Sequence, residues 1–154
     1  MKEIVGKDIW DFWEEDKWVV VTTNFSVAKT GRAVMGKGIA KEAAKKFPSL
    51  SWELGILIKQ DRRRVIFFPE YRVIIFPVKY VWHGKADLFL IEKSAIELND
   101  ALNKVIALKR EEIFSVRPGC GNGGLDWSSV RRVVESYFDG ITIVERTNGW
   151  NFED

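Results

Sequence analysis

Only one cysteine, Cys120, occurs in the chain, so no internal disulfide can form, and the composition suits a reducing compartment. Histidine is equally scarce. His83 stands alone, and the two residues together fall short of the ligands a structural zinc site needs. No apolar run approaches the roughly 20 residues that span a bilayer. The first residues, Met1-Lys2-Glu3-Ile4, lack the apolar stretch of a secretory leader, so a cytoplasmic protein without membrane contact is expected. Excess charge of one sign is missing too. A net charge of +2 exerts little overall pull on nucleic acid. Arg62-Arg63-Arg64 is the local exception, able to touch phosphate but explained as well by a solvated hairpin tip. Repeats, low-complexity tracts and linkers are absent, so residues 1–154 read as one domain, long enough for a real core. Hydrophobic residues are plentiful at 46%, and seven tryptophans should mostly serve core or rim packing.

Hydrophobic spacing predicts the elements. Ile4-Val5 begins a first strand leading into Gly6-Lys7-Asp8-Ile9-Trp10. Trp18 to Thr23 is a near-continuous apolar run, the pattern of a strand covered on both faces. A loop from Asn24 to Met35 precedes a helix from Gly36 to Phe47, stopped by Pro48, and a second helix covers Leu50 to Ile58. Val65 to Phe68 and Val73 to Phe76 form a hairpin. Residues 87–108 give the clearest helix, with Leu88, Ile91, Ala95, Leu98, Leu102 and Val105 on one stripe. A strand at 113–116, a helix at 127–138 and a strand at 141–144 complete the set. This alternation implies a three-layer α/β/α sandwich around a mixed, mostly parallel sheet. Ligands of such sheets sit beyond the carboxyl ends of the strands, where Asn24, Lys79 and the 119–124 loop converge.

Between 119 and 124 stand four glycines, flanked by a strand and a helix. Glycine-rich turns let backbone N–H groups approach a ligand, and the following helix directs its positive end to the same place, a geometry that holds phosphate. A flexible surface turn is the bland alternative. Gly31-Arg32-Ala33-Val34-Met35-Gly36-Lys37-Gly38 misses a nucleotide-triphosphate loop by one residue, since Gly38 replaces the magnesium-holding Ser or Thr. It still opens a helix with unpaired amides, so two loops suggest a ligand with two phosphates or a phosphate and a sugar. Cys120 reads as a tight loop residue, because a phosphatase loop needs arginine six residues on, where Asp126 stands. Lys79 either snorkels to water or acts in the cleft, where desolvation favours a nucleophilic neutral amine and phosphates favour the ammonium. Trp82 and His83 are candidates for the substrate rim.

Taken together, Gly6-Lys7-Asp8-Ile9, Thr23-Asn24, Val34 to Ala40, Phe76-Pro77-Val78-Lys79 and Gly119 to Trp127 resemble the macrodomain family over nearly the whole chain. The order and spacing are most similar to the branch holding the DarG antitoxins and the terminal ADP-ribose glycohydrolase. The resemblance implies ADP-ribose as ligand, with Asp8 and the Ile9 amide on adenine, Asn24 at the distal ribose and Thr23 among the binding residues. It implies that Met35, Gly36, Lys37, Gly38 and Ile39 supply amides to that ribose and the diphosphate. Gly119, Cys120, Gly121, Asn122, Gly123, Gly124 and Leu125 would wrap the diphosphate. Lys79, with Asn24, matches the catalytic position. Asn122-Gly123 replaces an aspartate of the protein-directed members, leaving the general acid and base unassigned. Removal of ADP-ribose from thymidine in DNA or from an acidic protein side chain is the implied activity, without metal or cofactor. Its alternatives are a non-catalytic reader and a phosphatase on ADP-ribose 1″-phosphate. A monomer is expected, with a separate ADP-ribosyltransferase toxin as the implied counterpart.

Overall fold

The computed structural model describes residues 1–105 and 107–146. Six strands form one sheet in the order β1-β6-β5-β2-β4-β3. They are β1 Lys2–Val5, β2 Trp18–Thr23, β3 Ile66–Phe68, β4 Val73–Pro77, β5 Ile113–Ser115 and β6 Thr142–Glu145. Every pairing is parallel except β3 with β4. That one hairpin places Ile66 opposite Ile75, so the chain just before β3 lies at the carboxyl edge of its parallel neighbours.

Side chains alternate across a strand, and here both faces meet helices. Val19 and Val21 of β2 enter one core with α1 (Ile9–Trp13), α2 (Gly38–Lys46) and α3 (Leu50–Lys59). Val20 enters the other, under α4 (Leu88–Lys104) and α5 (Trp127–Val134). The sandwich has three layers, as the alternation of strands and helices implies. Val19, Val20 and Val21 are all fully buried, which accounts for the unbroken apolar run. Three of the tryptophans behave as packing residues or as rim: Trp10 and Trp13 pack edge-on against Phe47, while Trp52 stays exposed.

The element bounds differ from expectation in instructive places. The short helix α1 has no counterpart in the sequence reading; Asp8 caps it by accepting from the Trp10 amide at 3.0 Å. Helix α2, expected from Gly36, starts at Gly38, with Lys37 as an extended N-cap. The long helix stops at Lys104, because Val105 turns to an extended conformation and is exposed rather than part of the stripe; Ile106 lies outside the described residues. Within that helix Leu90 and Ser94 join Ile91, Ala95, Leu98 and Leu102 in the buried face, whereas Leu88 is only half-buried. Burial of each such Ile or Leu contributes about 1.5–3 kcal/mol. Helix α5 ends at Val134; Phe138 is fully buried, but a turn rather than helix carries it there. Residues 147–154 of the expected single domain also lie outside the described residues.

Candidate functional site

Loops leaving the carboxyl ends of β2, β4, β5 and β6 enclose a cavity of about 630 Å³, within the range of small-molecule sites. Thr23 ends β2 and Asn24 follows it, Val78 and Lys79 follow β4, and the glycine loop follows β5. The start of α2 closes another side with Gly36, Lys37, Gly38 and Ile39. Trp82 and His83 stand at the rim, both exposed and edge-to-face at 5.2 Å.

The glycine loop is shaped from within. The Leu125 amide donates to Gly119 O at 3.0 Å and the Gly124 amide to Gly121 O at 3.1 Å. Gly119 takes φ +73°, a left-handed conformation that glycine adopts without penalty. A Cβ on Gly123 would meet Gly119 O at 2.5 Å, so only glycine allows this close return of the backbone. Among the described residues the amides of Gly121, Asn122 and Gly123 donate to no protein acceptor, and all three residues line the cavity. The first-turn amides of α2 have no side-chain cap either. Two sets of open donors, one of them a helix end, therefore line one space, the arrangement that neutralises phosphate oxygens.

Lys79 lines the same cavity and is only 7% exposed, with its backbone amide donating to Thr23 O at 3.4 Å. Beside it the Thr23 hydroxyl is buried with no hydrogen-bond partner among the described residues, a deficit that a ligand or water would relieve. Asn24 also lines the cavity, yet both ends of its amide are engaged. Nδ2 donates to Val34 O at 3.0 Å and Oδ1 accepts from the Ser26 amide at 2.8 Å, pinning the following loop. Cys120 is a poor nucleophile: burial pushes its thiol up to about 12, more than the Arg117 charge pulls it down. Its Sγ donates to Pro118 O at 3.4 Å, in keeping with a tight loop residue.

Ile9 lines the cavity, but Asp8, Met35 and Gly124 do not. Asp8 spends Oδ1 on the α1 cap and on Arg146 Nη2 at 3.3 Å. Met35 is buried in the core against α2, and Gly124 turns outward beside the Lys85 side chain. Sequence reasoning missed the ionic wall opposite Lys79. Arg146 grips Glu42 with both guanidinium nitrogens at 3.0 and 2.9 Å, and Trp10 Nε1 donates to Glu42 at 2.8 Å. Its hydrogen bond to Glu42 holds the guanidinium charged above its already high ordinary value. Arg117 pairs with Glu145 at 3.5 Å and lies 5.4 Å over the Trp127 ring. Extending the strand-end argument to β6 points to Glu145 and Arg146, whereas nothing local marks Glu42. Among the described residues no cluster of three or more His, Cys, Asp or Glu is arranged for a metal ion.

No protein-family model matches the sequence, and no curated protein does. Solved structures do match. The macrodomain of Mycobacterium tuberculosis DarG superposes with a TM-score of 0.72 at 24% identity, over 93% of this chain and 97% of that one. The macrodomain of Thermus aquaticus DarG gives 0.70 at 20% identity, over 94% and 96%. The chain has the macrodomain fold. Thermosipho africanus DarTG in complex with ADP-ribose matches this macrodomain with a TM-score of 0.72 at 19% identity, over 87% of this chain but 39% of the DarTG chain. The macrodomain here thus corresponds to one part of that longer protein.

Proposed function

We propose that the cavity binds ADP-ribose and that the chain hydrolyses the bond joining its distal ribose to DNA or to an acidic protein side chain, with Lys79 as the catalytic amine. The observation that carries this reading is the meeting of two amide-lined loops and a lysine only 7% exposed in one cavity. A structural neighbour described in complex with ADP-ribose supports the choice of ligand. Diphosphate oxygens suit the open amides of residues 121–123 and of the α2 N-terminus. The distal sugar then extends toward the end of β4. There the Lys79 amine adds to the anomeric carbon as that carbon's bond to the macromolecule breaks, and an amine proton leaves with the departing group. Ring opening gives an imine; water adds to its carbon, the C–N bond breaks, and ADP-ribose and the amine are restored. The counterpart activity is an ADP-ribosyltransferase toxin on another chain, whose product this hydrolase removes.

Borohydride added during turnover should leave a reduced sugar adduct on Lys79, read by peptide mass. An adduct elsewhere, or none during active turnover, would sink the covalent route. DNA-linked and glutamate-linked ADP-ribose, assayed side by side, decide the substrate. Because main-chain amides meet the phosphates, dialysis against EDTA should leave turnover unchanged, and a loss would contradict the account. One observation favours a non-catalytic reader as second reading. Glu42, Glu145 and Asp126 line the cavity, but each carboxylate is engaged, with Arg146, with Arg117 and in capping α5. Calorimetric binding of ADP-ribose without release from any conjugate, and without phosphate release from ADP-ribose 1″-phosphate, would favour the reader.

A further inference from the structure

The arginine run at 62–64 lies between α3 and β3, at the open end of the β3–β4 hairpin and not at its tip. The β3–β4 register brings Arg64 to the same sheet edge as the cavity. Arg62 and Arg64 border a gap too narrow for water together with Thr23 and Asn24, which also line the cavity, so the run adjoins the cavity's Asn24 side. Arg62, Arg63 and Arg64 are all exposed. Arg63 has only a 3.8 Å ion pair with the exposed Asp61, and the other two side chains form no ion pair or hydrogen bond among the described residues. The basic surface continues outward. On α3 the exposed residues Trp52, Ile56 and Lys59 follow one another at helical spacing. The loop at 28–32 lies over this face, with the Arg32 guanidinium 4.5 Å from the Trp52 ring centre and Gly31 packed between Trp52 and Lys59.

We propose that this surface, from Arg62–Arg64 across Lys59 to Arg32 and Trp52, is a docking track for a single strand of nucleic acid that leads to the Asn24 side of the cavity. Guanidinium forks match phosphate oxygens bidentately. Trp52 is half-exposed with the Arg32 guanidinium over one face of its ring, and this planar indole–guanidinium stack is a platform on which a base can continue, which an acidic polypeptide would not use. Clustering also resolves the weakness of the +2 net charge: the cations sit in one place, with Asp61 the lone acid in the segment from Lys59 to Arg64. The track is outside the cavity and stands whether or not ADP-ribose is the cavity's ligand.

The test uses the full chain and an unmodified single-stranded oligonucleotide of about 12 nucleotides, within the span of one such site. Fluorescence anisotropy is recorded over a salt series for the wild type and for a combined Arg62→Ser, Arg63→Ser, Arg64→Ser variant. Removal of three phosphate contacts should flatten the plot of log affinity against log salt by about 2. Trp52→Ala should weaken binding at least about fivefold. ADP-ribose calorimetry and thermal denaturation of the triple variant should match the wild type. Wild-type slope and affinity in that variant would overturn the proposal, as would no oligonucleotide binding by the wild type at low salt. Polyglutamate binding as tightly as the oligonucleotide would also overturn it, assigning the surface to an acidic protein. Failure of wild-type ADP-ribose binding with intact oligonucleotide binding refutes the proposed hydrolase and leaves the track standing.

Discussion

At the scale of single residues, Lys79 and Cys120 share a cavity and have opposite prospects. Lys79→Ala should lower turnover at least about a hundredfold while ADP-ribose affinity, measured by calorimetry, stays within a few-fold of wild type. Undiminished hydrolysis by that variant would remove the lysine from the chemistry. Cys120, with its thiol pushed up to about 12, carries almost no thiolate near neutrality. It should resist iodoacetamide at pH 7.5 over times that alkylate an unhindered thiol, and Cys120→Ser should retain turnover; rapid labelling would contradict its burial. The place of Lys79 at the cavity was legible in the sequence because it follows a buried strand, and Cys120 as a tight loop residue because its neighbours exclude a phosphatase loop. Asp8 was only partly legible. Its place beside Ile9 was evident and its cap on the Trp10 amide is local, but its pairing with Arg146 depends on residue 146 coming back across the fold. Glu42 was hidden altogether, since a carboxylate on an amphipathic helix looks like any solvated charge until its partners are known.

Elements add constraints that no residue carries alone. Helix α5 begins where the glycine loop ends, and Asp126 caps it, accepting from the Ser128 hydroxyl and the Ser129 amide. The Ser128 hydroxyl, followed by the Ser129 amide, holds this carboxyl below its ordinary value. A group depressed in the folded state stabilises above its unfolded value and loses that contribution as pH falls through the folded one. The melting-temperature gap between wild type and Asp126→Ala should therefore be full at pH 7 and shrink as the solution is acidified below about pH 4. A gap independent of pH would mean that the ionised carboxylate is not the cap. Gly55 makes a comparable point for α3, since an added Cβ would come within 2.0 Å of Gly31 O. Gly55→Ala should cost about 1–3 kcal/mol in urea unfolding by prising the 28–33 loop from the helix. Long periodic elements such as α4 could be read from spacing, while α1 could not. Five residues, IWDFW, are apolar nearly all round and too short to show a period; their helix exists because Asp8 caps it and the core accepts Trp10.

For the whole molecule, the alternation of elements foretold the layers, and the strand-end argument foretold which loops would meet. Strand order was not legible, because pairing between distant segments is settled by packing rather than by local pattern. Both faces of the sheet are covered by helices, and the chain should elute as a monomer of 17.8 kDa in size exclusion, with a dimer contradicting this. The same order has a consequence for biosynthesis. Strand β6, among the last described residues, lies between β1 and β5 and delivers Glu145 and Arg146 to the cavity wall. A nascent chain still on the ribosome has its first strand waiting without a neighbour, and its pocket stays open on one flank until β6 emerges from the exit tunnel. Translation products truncated before β6 should then fail the proposed binding of ADP-ribose, read by calorimetry, and ones that bind as well as the complete fold would contradict this.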